Sequence, residues 1–331
     1  MNDKLKDGLV KYTLHKEPTS KFIPLLLNPE LFPGTGLMNP SVLVHNGQIL
    51  INLRQINYTL YHSESKKFAH QWGPLQYLHP ENDQTLRTKN WMMFLDDDLE
   101  VTKVLPVDTS KLDQQPIWHF IGLEDARLFN WDDKFYLCGV RRDDNTKGSG
   151  RMQLQELEIG FDYVKEVSRH KIPAPGTDAS YCEKNWMPIN NKPYHFIKWT
   201  NPTEMVYFNI QDGTTKTSLL DESRVLPLPN DLRGSSQVIP FNDGYLAITH
   251  EVNLYNDIQG RKDGKYRHRF VFWDRNWNLV KTTEMFHFMT GEIEFCAGLA
   301  VQNNDLLVSF GFQDNAAYLL KMPISSLTEL F

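Results

Sequence analysis

Apolar and polar residues alternate along this chain in a layout that comes round five times: polar or charged residues, an apolar stretch, a two-residue polar turn, and a second apolar stretch ending in charge. The first copy has Asn39, then Ser41 to Val44, the turn Asn46-Gly47, and Ile49 to Leu53 ending at Arg54. In the second, Glu124, Asp125 and Arg127 lead into Leu128 and Phe129, the turn Asp132-Asp133, and Phe135 to Val140 ending at Arg141 and Arg142. The third runs from Glu183, Lys184 and Asn185 through Trp186 to Ile189, the turn Asn190-Asn191, and Tyr194 to Ile197. Arg233 and Gln237 open the fourth, with Val238 to Phe241, the turn Asn242-Asp243, and Tyr245 to Thr249 ending at His250 and Glu251. Glu292 and Glu294 open the fifth, with Phe295 to Val301, the turn Asn303-Asn304, and Leu306 to Phe312 ending at Gln313 and Asp314. Asn and Gly tolerate positive φ, which tight hairpins require.

The turns recur about every 50 to 60 residues, with a gap nearer 85 between the first two, the period expected of four-stranded propeller units. Weaker strand patterns follow each hairpin: Trp91 to Leu95, Met152 to Ile159, Glu204 to Ile210, His268 to Trp273 and Ala316 to Met322. The expectation is an all-β, single-domain, five-bladed β-propeller over residues 39–331, with residues 1–38 packing on it and a first-blade insertion at about 57–89. A β-sandwich or a two-domain β-rich chain would carry similar hairpins.

Composition fits a large core: 331 residues, 40% hydrophobic and 12% aromatic. The net charge of -6 argues against an electrostatically driven nucleic-acid binder, which leaves a nucleic acid acceptor disfavoured. The basic run Arg261 to Arg269 reads as a solvated loop. Met1 to Leu14 holds no continuous apolar core and no later run reaches membrane-spanning length, so a cytoplasmic location and no membrane partner are expected. Cys138, Cys182 and Cys296 lie too far apart for a disulfide framework or a Cys-x-x-Cys site and read as core residues, and the His residues lack metal-ligand spacing. Gly34-Thr35-Gly36 lacks the third glycine and the strand-to-helix context of a phosphate loop, and Ser235 and Ser236 lack a nucleophile elbow.

Closing five blades would gather the charged hairpin ends around one funnel, and so many ionisable groups need mutual pairing or a charged substrate. Carboxylates do acid, base or nucleophilic work at glycosidic bonds, and the candidate catalytic pair is Asp125 and Glu294; Arg and Lys clamp phosphate. Arg54, Glu124, Arg141, Arg142, Lys184, Asn185, Trp186, Arg233, His250, Glu251 and Asp314 are the candidate substrate-binding residues, and Arg127 is a candidate structural partner of Glu124. Trp186 and Trp199 are candidates to stack on a sugar face, among a wider set of aromatics that includes Tyr58, Trp72, Trp91, Tyr181 and Tyr255.

Glu-Asp-Ala-Arg-Leu at 124–128 with Asp-Lys-Phe-Tyr-Leu at 133–137 resembles the Glu-Asp-Pro-Arg signature and following strand of glycoside hydrolase family 130, the five-bladed β-mannoside phosphorylases and hydrolases, and of the related mannosyltransferase-phosphorylases, including a glycosyltransferase branch. Cys-Glu-Lys-Asn-Trp-Met-Pro (182–188), Arg-Gly-Ser-Ser-Gln-Val-Ile (233–239) and Glu-Phe-Cys-Ala-Gly-Leu (294–299) are similar to other blade openings of that group. The resemblance implies an inverting reaction at a glycosidic bond without metal or cofactor, Asp125 as general acid, and Arg141, Lys184, Arg233 and His250 around a phosphate. Ala126 stands where the family has proline, and the 57–89 insertion alters the first blade. The expected activity is glycosyl transfer between an anionic donor, a sugar 1-phosphate or nucleotide sugar, and a glycan or other hydroxyl acceptor. A β-mannoside phosphorylase or hydrolase shares that site. A propeller that only binds glycan, protein or nucleic acid is the reading from a different class.

Overall fold

The computed structural model describes residues 5–28, 36–60, 77–78, 83–176, 180–223, 225–228, 231–256 and 262–331. Its strands form four-stranded antiparallel units. The first unit is Gly36–His45, Gln48–Ile56, Leu86–Leu95 and Val101–Asp108; the second is Glu124–Trp131, Lys134–Arg141, Arg151–Ile159 and Val164–Ile172. Met187–Pro188, His195–Trp199, Thr203–Asn209 and Thr214–Asp221 make the third. In the fourth, Arg233–Gly234 and Ile239–Phe241 both pair with Gly244–Asn256, followed by Lys262–Asp274 and Leu279–Thr282. The fifth is Glu294–Gln302, Asp305–Phe312 and Ala316–Pro323, completed by Lys21–Pro24 from the start of the chain. A short parallel pairing, Val164 with Val107, joins the outer edges of the first two units.

The hairpins form where the polar pairs demand them. Asn46 and Gly47 have φ of 49° and 78°, Asp132 and Asp133 have 47° and 61°, and Asn242 and Asn303 have 47° and 55°. Positive φ at both central residues, as in the first two of these turns, matches the right-handed twist of the flanking strands. At Asn190-Asn191 the turn is longer, and the left-handed residue is Tyr194 at 60°.

Both faces of the units are apolar because each packs between neighbours. Leu50, Met92 and Phe94 of the first unit meet Leu128, Leu137 and Leu157 of the second. The second's other face, Phe129, Trp131 and Leu154, meets Trp186, Phe196 and Phe208 of the third. Met187, Ile197 and Met205 then meet Ala247, Val271 and Trp273 of the fourth, whose Leu246, Ile248 and Phe270 meet Leu299, Val308 and Phe310 of the fifth. The fifth returns to the first, through Leu307 and Leu319 against Ile51, Leu53 and Met93. Each such side chain fully removed from water contributes about 1.5–3 kcal/mol. At the centre the buried Gln237 donates to the carbonyls of Val42 and Leu128 and accepts from the Leu299 amide, binding four units together. The fold is β-rich and propeller-like.

Helix Leu9–Lys16 buries Leu9 and Val10 in the cluster between the fourth and fifth units. Neither it nor the C-terminal Ile324–Thr328 is long and apolar enough to cross a membrane. Of the expected insertion at 57–89, residues 61–76 and 79–82 lie outside the described residues, as does Trp72. The basic run is a correction: from Lys262 onward it is a strand, with His268 and Arg269 buried, while residues 257–261 are outside the described set.

Candidate active site

The site is built on breaks in strand register. In the first strand of the first unit the pairing slips between Met38 and Ser41, and Asn39 takes φ of 46°. In the second unit it slips opposite Cys138 and Val140, and Asp125 takes φ of 50°. Gly139 must be glycine there, since a Cβ would sit 2.3 Å from the Glu124 carbonyl oxygen. A bulge of this kind re-aims one side chain off the pleat. Asn185 and Asp314 also adopt the left-handed region, at 65° and 49°. All four line one cavity of about 460 Å3.

Asp125 is held from three sides. Its Oδ1 accepts from Asn39 Nδ2 at 2.7 Å and Arg54 Nη1 at 2.5 Å, and its backbone carbonyl accepts from Arg127 Nη1 at 2.7 Å. Burial works to raise its pKa, but the field of Arg54, the Asn39 bond, Arg127 and Lys184 outweigh that and hold it below the ordinary carboxylate value. Among the described residues Asp314 has no such bonds, and burial together with the charge of Asp125 pushes it up to about 6. Two carboxylates in one cavity are thus driven apart, one ionised and one able to hold a proton near neutrality. Arg54 also donates to Tyr58 Oη at 2.6 Å and to Glu124 at 3.5 Å, while Glu124 lies 3.7 Å from Arg142 Nε.

Basic residues line the same cavity. Among the described residues, neither Lys184 nor Arg233 has a side-chain hydrogen bond or ion pair, and Lys184 lies close enough to Asp125 and Asp314 for its charge to favour their ionised forms. His250 lies beside them, its Nδ1 2.9 Å from Ser235 Oγ and its ring stacked on Tyr266 at 5.6 Å. Burial and the nearby His268, Lys184 and Arg233 keep it neutral, well below the usual histidine value. Cations beside a hydrogen-bonding imidazole can hold an anion through charge-assisted hydrogen bonds.

Nine of the thirteen residues singled out from sequence therefore share this cavity: Asp125, Arg54, Glu124, Arg142, Lys184, Asn185, Arg233, His250 and Asp314. Four do not. Glu294 is fully buried and accepts from the backbone amides of Phe288, Met289, Thr290 and Gly291 at 2.5–3.0 Å, so its lone pairs are committed to a loop. Glu251 is paired with buried Arg269 at 2.5 Å. Arg141 turns the other way from Arg142, to Asp143 at 2.5 Å and Asp113 at 3.2 Å, outside the phosphate group expected of it. Trp186 is a core side chain against Phe196, its indole donating to Glu183, and cannot stack on a sugar.

Arg127 is not Glu124's partner: it donates to the Asp125 and Ser235 carbonyls and to Asn185 Oδ1, tying the second, third and fourth units beneath the site. Cys182, expected in the core, lines the cavity and accepts from Arg142 Nη2 at 3.2 Å. Residues not singled out for the site also line it, chiefly Asn39, Phe120, Tyr266 and Phe295. Asn39 carried a usable signal, since it opens the first copy where Asp125 opens the second. Phe295 reads in sequence only as an apolar strand residue, Tyr266 falls within the basic run that reads as a solvated loop, and Phe120 lies outside the repeated pattern.

No protein-family model and no curated protein sequence matches the chain. Solved structures do. The chain is similar to a β-1,2-mannobiose phosphorylase from Listeria innocua in complex with β-1,2-mannobiose, at TM-score 0.53 and 15% identity over 93% of this chain and 96% of that one. It is similar to a structure from the GH130 family of mannoside phosphorylases, which contains glycoside hydrolases that target β-1,2 mannosidic linkages in Candida mannan, at TM-score 0.55 and 12% identity over 87% and 84%. MPT-1, a GDP-Man-dependent mannosyltransferase from Leishmania mexicana, matches at TM-score 0.51 and 11% identity over 95% and 93%. The fold is therefore one shared with GH130 structures, and those neighbours are phosphorylases, hydrolases and transferases acting on sugars.

Proposed function

We infer that the chain is an inverting glycosyl-transfer enzyme on a five-bladed propeller, moving a sugar between a phosphate-bearing donor and a hydroxyl acceptor. The observation that supports this is one cavity that gathers Lys184 and Arg233, which among the described residues make no side-chain hydrogen bond or ion pair, with the carboxylates Asp125 and Asp314. In the synthetic direction the donor's phosphate rests on Lys184, Arg233 and the neutral His250. The acceptor oxygen attacks the anomeric carbon from the opposite face, the carbon–oxygen bond to phosphate breaks with its electron pair leaving on the phosphate, and the acceptor proton passes to the Asp125 carboxylate. Ionised Asp125 suits that role as base. An anion neutralising Lys184 removes one of the charges that depress Asp125, so donor binding makes it a better proton acceptor. Run backwards, the same steps are phosphorolysis with Asp125 as acid, the role that the family resemblance implies. Glu294 has no part in it.

Sugar 1-phosphates and nucleotide sugars, screened by thermal shift, test the reading. At a hundred times its Kd a selective donor adds ~2.7 kcal/mol of apparent stability. That gain is expected in the wild type and in Asp125→Asn, and is expected to vanish in Lys184→Ala. With the stabilising donor, Asp125→Asn is expected to lose about 10²–10⁴-fold in turnover. Stabilisation indifferent to Lys184, or near-normal turnover without the Asp125 carboxylate, overturns the assignment.

A further inference from the structure

A second cavity, of about 780 Å3, is lined by residues of the first and second units. Thr88 is part of the partition: it lines this cleft, while its Oγ1 accepts from Arg54 of the central cavity at 3.1 Å. The buried wall is polar where a joint between β units is ordinarily apolar. Gln155, on the third strand of the second unit, is 1% exposed, and among the described residues neither its amide nitrogen nor its amide oxygen has a hydrogen-bond partner. Each such group left unsatisfied costs about 1–3 kcal/mol, and two on one side chain need an explanation.

We propose that this cleft is a second binding site, for a neutral saccharide. The Gln155 amide offers a donor and an acceptor side by side, the pairing that vicinal hydroxyls of a sugar satisfy together. Thr88, Thr109 and Gln114 add further hydroxyl and amide groups around the opening. Charge argues against an anion. Arg141, the buried cation of the wall, is already neutralised by Asp143 and Asp113, and Arg87 on the same cleft is paired with Asp83 at 3.2 Å. This contrasts with the unpaired Lys184 and Arg233 next door. The volume lies within the range of small-molecule sites. The site does not depend on the reaction assigned to the central cavity, since the two cavities share no lining residue.

The test titrates four neutral disaccharides, mannobiose, cellobiose, maltose and lactose, by calorimetry up to about 20 mM. It uses the full-length wild type, Gln155→Leu and, as a closer match in length, Gln155→Met. At least one disaccharide is expected to bind the wild type and to weaken about tenfold in both variants, as losing one or two hydrogen bonds predicts. Both variants are expected to melt no lower than the wild type, because each removes an unpartnered buried amide. Inorganic phosphate titrated into the same proteins reports the central cavity separately and is expected to bind unchanged, so failure here and failure there are distinguishable. Binding of every disaccharide unaffected by Gln155, or no binding in that range, leaves the cleft a pocket of ordered water and overturns the proposal.

Discussion

His268 is fully buried on the strand Lys262–Asp274, 4.7 Å from the ring of Phe288 and 6.1 Å from that of Phe286, and among the described residues neither of its ring nitrogens has a hydrogen-bond partner. Burial, with the charges of His287 and Arg267, lowers its pKa to about 3. Its folded state thus stays neutral through the range in which an unfolded histidine, at about 6.5, takes up a proton. Between these values the unfolded chain binds more protons, so stability is full above about pH 6.5 and falls as the pH drops toward 3. The loss is ~1.36 kcal/mol per pH unit, or about 2 kcal/mol between pH 6.5 and pH 5. Carboxylates also titrate below that range, so the informative quantity is a difference. Urea unfolding of the wild type and of His268→Leu, measured at about pH 7.5 and pH 5, is expected to show the wild type losing about 2 kcal/mol more than the variant. At pH 7.5 the variant is expected to be at least as stable, since it no longer buries two unsatisfied nitrogens. Parallel pH dependences in the two proteins would refute the reasoning, by showing that His268 either charges in the folded state or finds a partner.

Glu294→Ala is expected to cost about 3–5 kcal/mol in the same assay, because four backbone amides at Phe288 to Gly291 lose their acceptor; a change under about 1 kcal/mol would show the loop supports itself. Carbon-detected NMR of Asp314 is expected to find it titrating near 6 in the wild type and clearly lower in Asp125→Asn, where the neighbouring negative charge is gone. An unchanged titration would mean that burial alone sets it.

The inner hairpins were legible because their turns are written in residues that need positive φ, and because both faces of every inner strand are apolar. The outer strands were not. Thr214–Asp221 is mostly exposed and reads as a polar segment, and Leu279–Thr282 is too short to show a period. Sequence gathered charges most of which share one cavity, but not their directions. Arg141 and Arg142 are neighbours in extended chain and so point to opposite sides, one to the outer cleft and one to the cavity. Glu294 and Asp314 both stand at strand ends of the fifth unit, yet one turns to a loop and the other to the cavity. The bulges at Asn39 and Asp125, which aim those side chains, leave no mark in the hydrophobic pattern.

Lys21–Pro24 finds its partner in Ala316–Pro323, nearly the whole chain away. Lys21–Pro24 is made long before Ala316–Pro323, so the fifth unit is completed only after the strands of the other four have been synthesised. Long-range pairing of this kind makes for slow folding. Until then the strand Ala316–Pro323 has an unpaired edge, and such an edge templates pairing with other chains. Loss of the Lys21–Pro24 segment would therefore be felt on the distant strand Ala316–Pro323, as aggregation of an otherwise intact sheet.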